Sequence, residues 1–326
     1  MAFTANSEQF KFDPSLTAGV KGKRVLITGS GKDGGIGQAF ALAAGLNEAS
    51  HVCVHFHRSY AVGFDLVNAL RAQGVEAFPL QADVTNMGDL WATRSYVIDQ
   101  MGGLPPDLVV CNSGLTEKGY SFGRALREVE GEPVAVRRAR VRQHFIDNLE
   151  ESRLVIDTKV DGFLAMTHLW AGEALHAKTT VRFIYVSSRQ AIDPGASVPG
   201  YALANWAVLA LPRVLAANLG KAAGSVSASS VLFPFIRTGM TDEYAGNEKV
   251  YGRWQPRMLE PFEAAKAFLQ LLQRPTEETN LGNYELLVKA IEESADVAVT
   301  WSQVVLEPIE SPAAWSTDAP LQFPSL

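Results

Sequence analysis

The sequence predicts an α/β fold: a doubly wound parallel sheet with helices on both faces, in a single domain with a helical insertion and a C-terminal tail. Three observations predict it. Short apolar runs alternate with stretches of helical pattern along most of the chain, and strands spaced by helices of that length pair in parallel. The first apolar run ends in a crowd of glycines that opens the first helix. The 326 residues are 47% hydrophobic and 20% charged, which suits one soluble globular domain of more than average size.

Residues 1–20 read as an irregular arm and residues 21–290 as the domain itself. RVLITG (24–29) is an apolar run ending in glycine, a first strand, and QAFALAAGL (38–46) has helical character. HVCVHF (51–56) is a second strand, and GFDLVNALRAQG (63–74) a helix stopped by glycine. EAFPLQADV (76–84), MGDLWATRSYVIDQM (87–101) and DLVVCNSG (107–114) continue as strand, helix and strand. The rhythm then breaks over 115–152, an insertion in which Val141, Phe145 and Leu149 stand at helical spacing. It resumes with a long helix over 153–177, a strand at VRFIYVSS (181–188) and a helix over 201–220 that Pro212 is expected to kink. SVSASSVLFP (225–234), EPFEAAKAFLQLL (260–272) and YELLVK (284–289) complete the set as strand, helix and strand. Residues 291–326, rich in Pro, Ser and Ala, read as a wrapping tail or a loose end.

Charge and cysteine content narrow the function. A net charge of −6 gives no encouragement to nucleic acid or an anionic membrane as partner. Cys53 and Cys111 sit in apolar strands and read as buried free thiols of a reducing compartment. The N-terminus lacks the basic start and apolar run of a signal peptide, and no 18-residue apolar stretch stands out, so a cytoplasmic protein without a transmembrane helix is expected.

The turn after the first strand, TGSGKDGGIGQAF (28–40), holds Gly29, Gly31, Gly34, Gly35 and Gly37. Glycine lets backbone approach a pyrophosphate, and the N-terminus of the following helix offers free N–H groups to the anion. Between a first strand and a first helix this points to a dinucleotide site on a Rossmann-like sheet. A P-loop is excluded by spacing, because its earlier glycine would fall on Leu26 and Asp33 follows Lys32. A site for NAD usually places an acid at the end of the second strand, to hold the ribose 2′-hydroxyl. Here that strand ends in HFHRSY (55–60), where Arg58 can pair with a 2′-phosphate and Lys32 can assist. The expected cofactor is therefore NADPH.

With these residues in place, the chain resembles the short-chain dehydrogenase/reductase family over about residues 20–290. The family's TGxxxGxG loop matches as TGSGKDGGIG, two residues longer. Its acidic adenine contact matches Asp83 with Val84 beside it, and its NNAG turn matches CNSG with Asn112 and Gly114. Its catalytic serine matches Ser188, thirteen residues before the matching tyrosine, Tyr201. The resemblance implies that Gly29, Gly31, Lys32, Gly35, Ile36, Gly37, Arg58, Asp83, Val84, Asn112 and Gly114 bind the cofactor. Ile236 and Thr238 match the positions that hold its carboxamide and phosphates.

Two positions depart together. The family's YxxxK reads YALAN, with Asn205 in place of the lysine, and Lys159 in DTKVDGF (157–163) stands where the family keeps an asparagine. This paired exchange resembles the ketoreductase domains of polyketide and animal-type fatty acid synthases. It implies Tyr201 as proton donor, Ser188 as carbonyl binder, Lys159 as the charge that tunes the phenol and Asn205 as support. A phenol of pKa about 10 is sluggish at neutral pH, and a nearby ammonium lowers that value whichever helix supplies it.

Other departures limit what the resemblance says. The family's PG pair after the sixth strand aligns with Phe233–Pro234, and the stereochemical signposts of polyketide ketoreductases are replaced by TEK (116–118) and Asp193. The insertion carries Arg137, Arg138, Arg140 and Arg142, either a solvated basic face or a docking surface for an acidic acyl carrier protein. Residues 240–260 fall where the family keeps a substrate lid, so Tyr244, Tyr251 and Trp254 are candidates to line a substrate pocket. Family members are often dimers or tetramers, so a homo-oligomer is expected, and no metal-ligand spacing is present. The expected activity is reduction of a ketone, as a β-ketoacyl thioester, polyketide or related intermediate, to a secondary alcohol. The rival is a catalytically inactive NADPH-binding sensor or scaffold on the same fold.

Overall fold

The computed structural model describes residues 6–117, 127, 129–194, 198–292, 294 and 296–306. The first half alternates as expected: β1 (Arg24–Ile27), α1 (Ile36–Leu46), β2 (His51–Phe56), α2 (Tyr60–Ala72), β3 (Glu76–Gln81), α3 (Met87–Gln100) and β4 (Leu108–Cys111). Then come α4 (Val134–Ile156), a π-helical turn (Asp157–Asp161), α5 (Gly162–His176), β5 (Val181–Ser188), α6 (Pro199–Leu219) and β6 (Val226–Phe233). The chain closes with the one-turn α7 (Glu248–Tyr251), α8 (Pro261–Leu272), the one-turn α9 (Thr276–Thr279), β7 (Asn283–Ala290) and β8 (Val297–Val304).

The strands form one sheet in the order β3-β2-β1-β4-β5-β6-β7-β8. Neighbours from β3 to β7 pair in parallel, with Leu26 of β1 opposite Cys53 of β2 and Val109 of β4. β2 is buried along nearly its whole length because helices cover both faces, which is why it reads as a continuous apolar run. On one face Phe40 of α1 stacks on Phe268 of α8 at 4.2 Å, over a core that includes Leu66 of α2. On the other, Phe163, Trp170 and Leu90 pack against Tyr185, whose hydroxyl reaches Thr167 at 2.8 Å. Burying each such large side chain contributes roughly 1.5–3 kcal/mol. Strand order reverses between β1 and β4, and sheets of this kind bind ligands at that switch point.

The structure corrects or extends four readings of the sequence. The long helix does not begin near residue 153: it starts at Val134, so the arginine-rich half of the 115–152 insertion is its N-terminal extension. Residues 118–126 and 128 of that insertion lie outside the described residues. The tail is not wholly loose, because Val297–Val304 pairs antiparallel with β7 from Ala290–Val297 to Asn283–Val304, while residues 307–326 lie outside the described residues. The arm is anchored: Phe10, Leu16 and Val20 join the core, and Asn47 binds its backbone by accepting from Phe12 N and donating to Phe10 O. Finally, α6 is long and apolar enough to cross a membrane by length and composition. In the fold it packs on β5, β6 and α4 and buries Ala204, Asn205, Val208 and Leu209, while Leu203, Trp206 and Val214 are exposed. It runs on through Pro212.

Candidate active site

The C-terminal ends of β1, β2, β4, β5 and β6 open onto one cleft of about 380 Å³. It is lined by Gly29, Gly31, Lys32, Gly35, Ile36, Gly37, Arg58, Asp83, Val84, Asn112, Gly114, Lys159, Ser188, Tyr201, Ile236 and Thr238. The structure thus gathers into one cavity every residue that the sequence marked for cofactor binding, and three of the four marked for catalysis.

The glycine loop is shaped for close approach. Gly29 has φ +67°, and a Cβ on Gly37 would come within 2.5 Å of Asn112 Nδ2 and 2.6 Å of the Gly29 carbonyl. Asn112 Nδ2 donates to the Thr28 carbonyl at 3.0 Å, and the Thr28 hydroxyl accepts from the backbone N–H groups of Asn112 and Ser113, so the turns after β1 and β4 are tied together. Under the loop lies His55, which sequence reasoning passed over. Gly29 N–H donates to its Nδ1 at 3.2 Å, and burial lowers its pKa to about 4, so it is a neutral acceptor supporting the loop. A histidine closing an apolar strand beside the glycine loop was the available signal.

Beside the end of β3, Asp83 accepts from the Thr85 N–H at 2.9 Å and from its hydroxyl at 2.8 Å. Burial acts to raise the Asp83 pKa, but these two bonds and the nearby His57 and Arg58 charges outweigh it, so the value lies below the ordinary carboxylate range. Lys32 reaches toward the other wall: a Cβ on Gly239 would lie 3.5 Å from its Cε. Arg58 and Lys32 therefore place two cations on the cleft.

Three elements converge where the sequence placed its candidate catalytic residues. Ser188 ends β5, Tyr201 sits in the first turn of α6, and Lys159 comes from the π-helical turn between α4 and α5. A π turn inserts a residue into the helical register and re-aims the side chains beyond it, and nothing in the local sequence announces it. Lys159 is 4% exposed, and its Nζ lies 6.0 Å from the centre of the Tyr201 ring and 5.3 Å from that of Phe163. Among the described residues it has no hydrogen-bond or ion-pair partner, and burial lowers its pKa to about 7. Gly114 lies beside it, since a Cβ there would stand 3.5 Å from Nζ, in ordinary contact.

Burial raises the Tyr201 phenol, while hydrogen bonds to Ser188 and Asn205 pull it down. The expected lowering by Lys159 is not found: the phenol lies above its ordinary value, and Lys159 is not among the groups that shift it. Asn205 lies beneath the cleft, fully buried, and donates through Nδ2 to the Tyr201 carbonyl at 2.8 Å. Its Oδ1 is left without a hydrogen-bond partner among the described residues.

The lid residues do not line the cleft. Tyr244, Tyr251 and Trp254 instead gather around Phe235, with Trp254 stacked on it at 5.5 Å and the two tyrosines at 6.3 Å. The Trp254 indole N–H is drawn to Asp193, which also binds Arg253 at 2.9 Å. Residues the sequence did not mark, Leu115, Leu154, Thr158 and Met240, line the cleft in their place. Leu154 and Thr158 escape a sequence reading because, although they fall in a helix that the sequence predicts, nothing in their residue types marks the face that meets the cleft.

Comparison with known proteins agrees with this geometry. Over 111 residues the chain is 33% identical to versicolorin reductase 1 of Dothistroma septosporum, covering 34% of this chain and 38% of that one. Over 94 residues it is 33% identical to the 3-oxoacyl-(acyl-carrier-protein) reductase FabG of Staphylococcus aureus, covering 29% and 36%. The matched stretches thus span well under half the length of these relatives. A short chain dehydrogenase from Burkholderia cenocepacia, solved in complex with NADP, superposes with a TM-score of 0.61 at 17% identity, over 82% of this chain and 96% of that one. The family model for short chain dehydrogenases matches residues 23–249, and the chain belongs to that family of oxidoreductases.

Proposed function

We propose that the protein is an NADPH-dependent ketoreductase that converts a ketone to a secondary alcohol. The observation that carries this reading is the meeting of Ser188, Tyr201 and a buried Lys159, unpartnered among the described residues, at the end of a glycine-walled cleft. The glycine loop that opens α1, and the Arg58 and Lys32 cations that line the cleft, fit a phosphorylated dinucleotide. Gly29, Gly31, Gly35, Ile36 and Gly37 would hold its pyrophosphate, Asp83 and Val84 its adenine, and Arg58 and Lys32 its 2′-phosphate. Asn112, Gly114, Ile236 and Thr238 would border the nicotinamide half. When bound, the cofactor supplies the hydride.

The protein's own groups handle the oxygen. Ser188 Oγ donates to the carbonyl oxygen and steadies its growing charge. The Tyr201 hydroxyl gives that oxygen its proton. Lys159 stabilises the phenolate left behind from 6.0 Å away across the ring, in surroundings dry enough to strengthen the attraction. Asn205 holds the Tyr201 backbone through the bond from its Nδ2 to the Tyr201 carbonyl.

For the substrate we favour a β-ketoacyl thioester, a polyketide or a related intermediate. Arg137, Arg138 and Arg142 border an open apolar groove on α4 floored by Val141 and Phe145, a surface suited to an acidic acyl carrier protein. The free, buried Cys53 and Cys111 fit a reducing compartment such as the cytoplasm.

The test is NADPH consumption with simple β-ketoesters, free and carrier-bound. Y201F is expected to reduce kcat by at least about 10²-fold. Paired reversals R138E and R142E are expected to weaken turnover of the carrier-bound substrate alone. NADPH binding without any turnover would leave a sensor or scaffold as the better reading.

A further inference from the structure

We propose that Glu117 is a positioning residue for Tyr201: a carboxylate from the loop after β4 that holds the first turn of α6, and with it the proton donor, in place. The proposal rests on the reading of Tyr201 as that donor. Glu117 is 5% exposed, and a buried carboxylate is tolerated only where its oxygens are filled. Its Oε1 accepts from the Ser152 hydroxyl at 2.6 Å and from the Gly200 N–H at 2.8 Å, and its Oε2 accepts from the Tyr201 N–H at 2.9 Å. Among the described residues these partners are two amides and a hydroxyl, with no cation.

The start of α6 explains why a distant residue is needed. The N-cap position is Val198, whose side chain offers no oxygen, and Pro199 in the first helical position has no N–H. The first free amides are therefore Gly200 and Tyr201, and Glu117 takes both. A negative group at a helix N-terminus also meets the positive end of the helix dipole. Gly200 is needed for the same arrangement, since a Cβ there would come within 2.6 Å of Ser152 Cα and 2.9 Å of Glu117 Oε1. One carboxylate thus joins the loop after β4, α4 and α6 at the backbone of the tyrosine. Two residues before it, Leu115 lines the cleft, so the segment that borders the cofactor side also fixes the donor. Bound groups misplaced by a fraction of an ångström react more slowly, which gives the pin a kinetic consequence.

The experiment uses the full chain with E117Q, which keeps size but turns an N–H2 group toward an amide N–H, and with E117D, which keeps charge but falls a methylene short. With a β-ketoester as substrate, kcat is expected to fall at least about tenfold in E117Q, while NADPH affinity, read by fluorescence titration, moves by no more than about twofold. E117D is expected to show the same split to a smaller degree, and it serves alone should E117Q fail to fold. Hydrogen exchange of the Gly200 and Tyr201 amides, read without any substrate, is expected to quicken in both variants. Wild-type kcat in the variants, wild-type exchange at those amides, or a kcat loss matched by lost NADPH binding would each overturn the proposal. Failure of the wild-type protein to reduce any ketone overturns the functional reading instead, and the exchange measurement still decides whether Glu117 holds the helix.

Discussion

The two ends of the cleft are built by different means. At the cofactor end, function is carried by backbone: a left-handed Gly29, a Gly37 that no larger residue can replace, and turns tied by Thr28 and Asn112. At the catalytic end it is carried by side chains from three separate elements, Ser188 from β5, Tyr201 from α6 and Lys159 from a π turn. A backbone cradle depends on a contiguous stretch of sequence and tolerates little change. A charge on a flexible stem needs only to arrive at the right point in space, so its residue can move from one helix to the next. This explains how the lysine and asparagine can exchange positions while the glycines of the loop, though it is two residues longer, stay on one contiguous stretch.

The comparison is broken most directly at Lys159. K159M is expected to lower kcat by about 10²-fold or more, with NADPH affinity largely kept. Loss of cofactor binding in step with kcat would show that the lysine belongs to the cradle instead. Stability gives a second readout of opposite sign. The Lys159 pKa is lowered to about 7 in the folded protein from 10.5. Below pH 7 both states carry the proton, and the folded state bears the full cost of a buried charge. Between those values only the unfolded state holds the proton, so the advantage of an uncharged side chain no longer depends on a buried ammonium and shrinks as pH rises toward 10.5. The K159M protein is therefore expected to melt above the wild type at pH 6, and the gap is expected to narrow toward pH 9. A gap independent of pH would mean that the ammonium is solvated.

The same contrast explains what was legible in the sequence. The glycine loop, Asp83, Asn112 and the spacing of Ser188 and Tyr201 lie on short contiguous stretches, and each lines the cleft where expected. The parallel core could be read because strands buried on both faces announce themselves as apolar runs. What escaped depends on long-range or register effects. The π turn that aims Lys159 has no composition of its own. The start of α4 is masked by an arginine-rich face, and β8 by the Pro, Ser and Ala around it. Glu117 looks like part of a loop, since its partners lie 35, 83 and 84 residues away. The lid aromatics suit a pocket by residue type, but they gather on Phe235 instead, Trp254 stacked, Tyr251 tilted and Tyr244 edge-on.

The cofactor end is sharpened at Arg58. It is exposed, it lines the cleft, and it is one of the charges that depress Asp83. R58A is expected to lower the preference for NADPH over NADH in kcat/KM by roughly tenfold, the scale of one charge-assisted contact of about 1.5 kcal/mol. Most of the change should appear in the KM for NADPH. An unchanged ratio would assign the 2′-phosphate to Lys32 alone, whereas equal weakening toward both cofactors would place Arg58 elsewhere on the dinucleotide.

The smallest expected effect lies at the lid, which belongs to neither end. Asp193 follows Ser188 by five residues and binds Arg253 and the Trp254 indole, and so ties the loop after β5 to the segment around α7. Its ion pair with Arg253 is solvated, with side chains 43% and 50% exposed, and such pairs are worth about 0.2–1 kcal/mol. The ring of Trp254 is held independently by its stack on Phe235. D193N keeps an acceptor for the indole and loses only the charge, so its cost is bounded by the ion pair. The KM for the ketone should change by no more than about fivefold, the equivalent of about 1 kcal/mol, with kcat and NADPH affinity held. A 10²-fold fall in kcat would be far beyond what an exposed pair can supply, and would move Asp193 from the lid into the catalytic group with Ser188 and Tyr201.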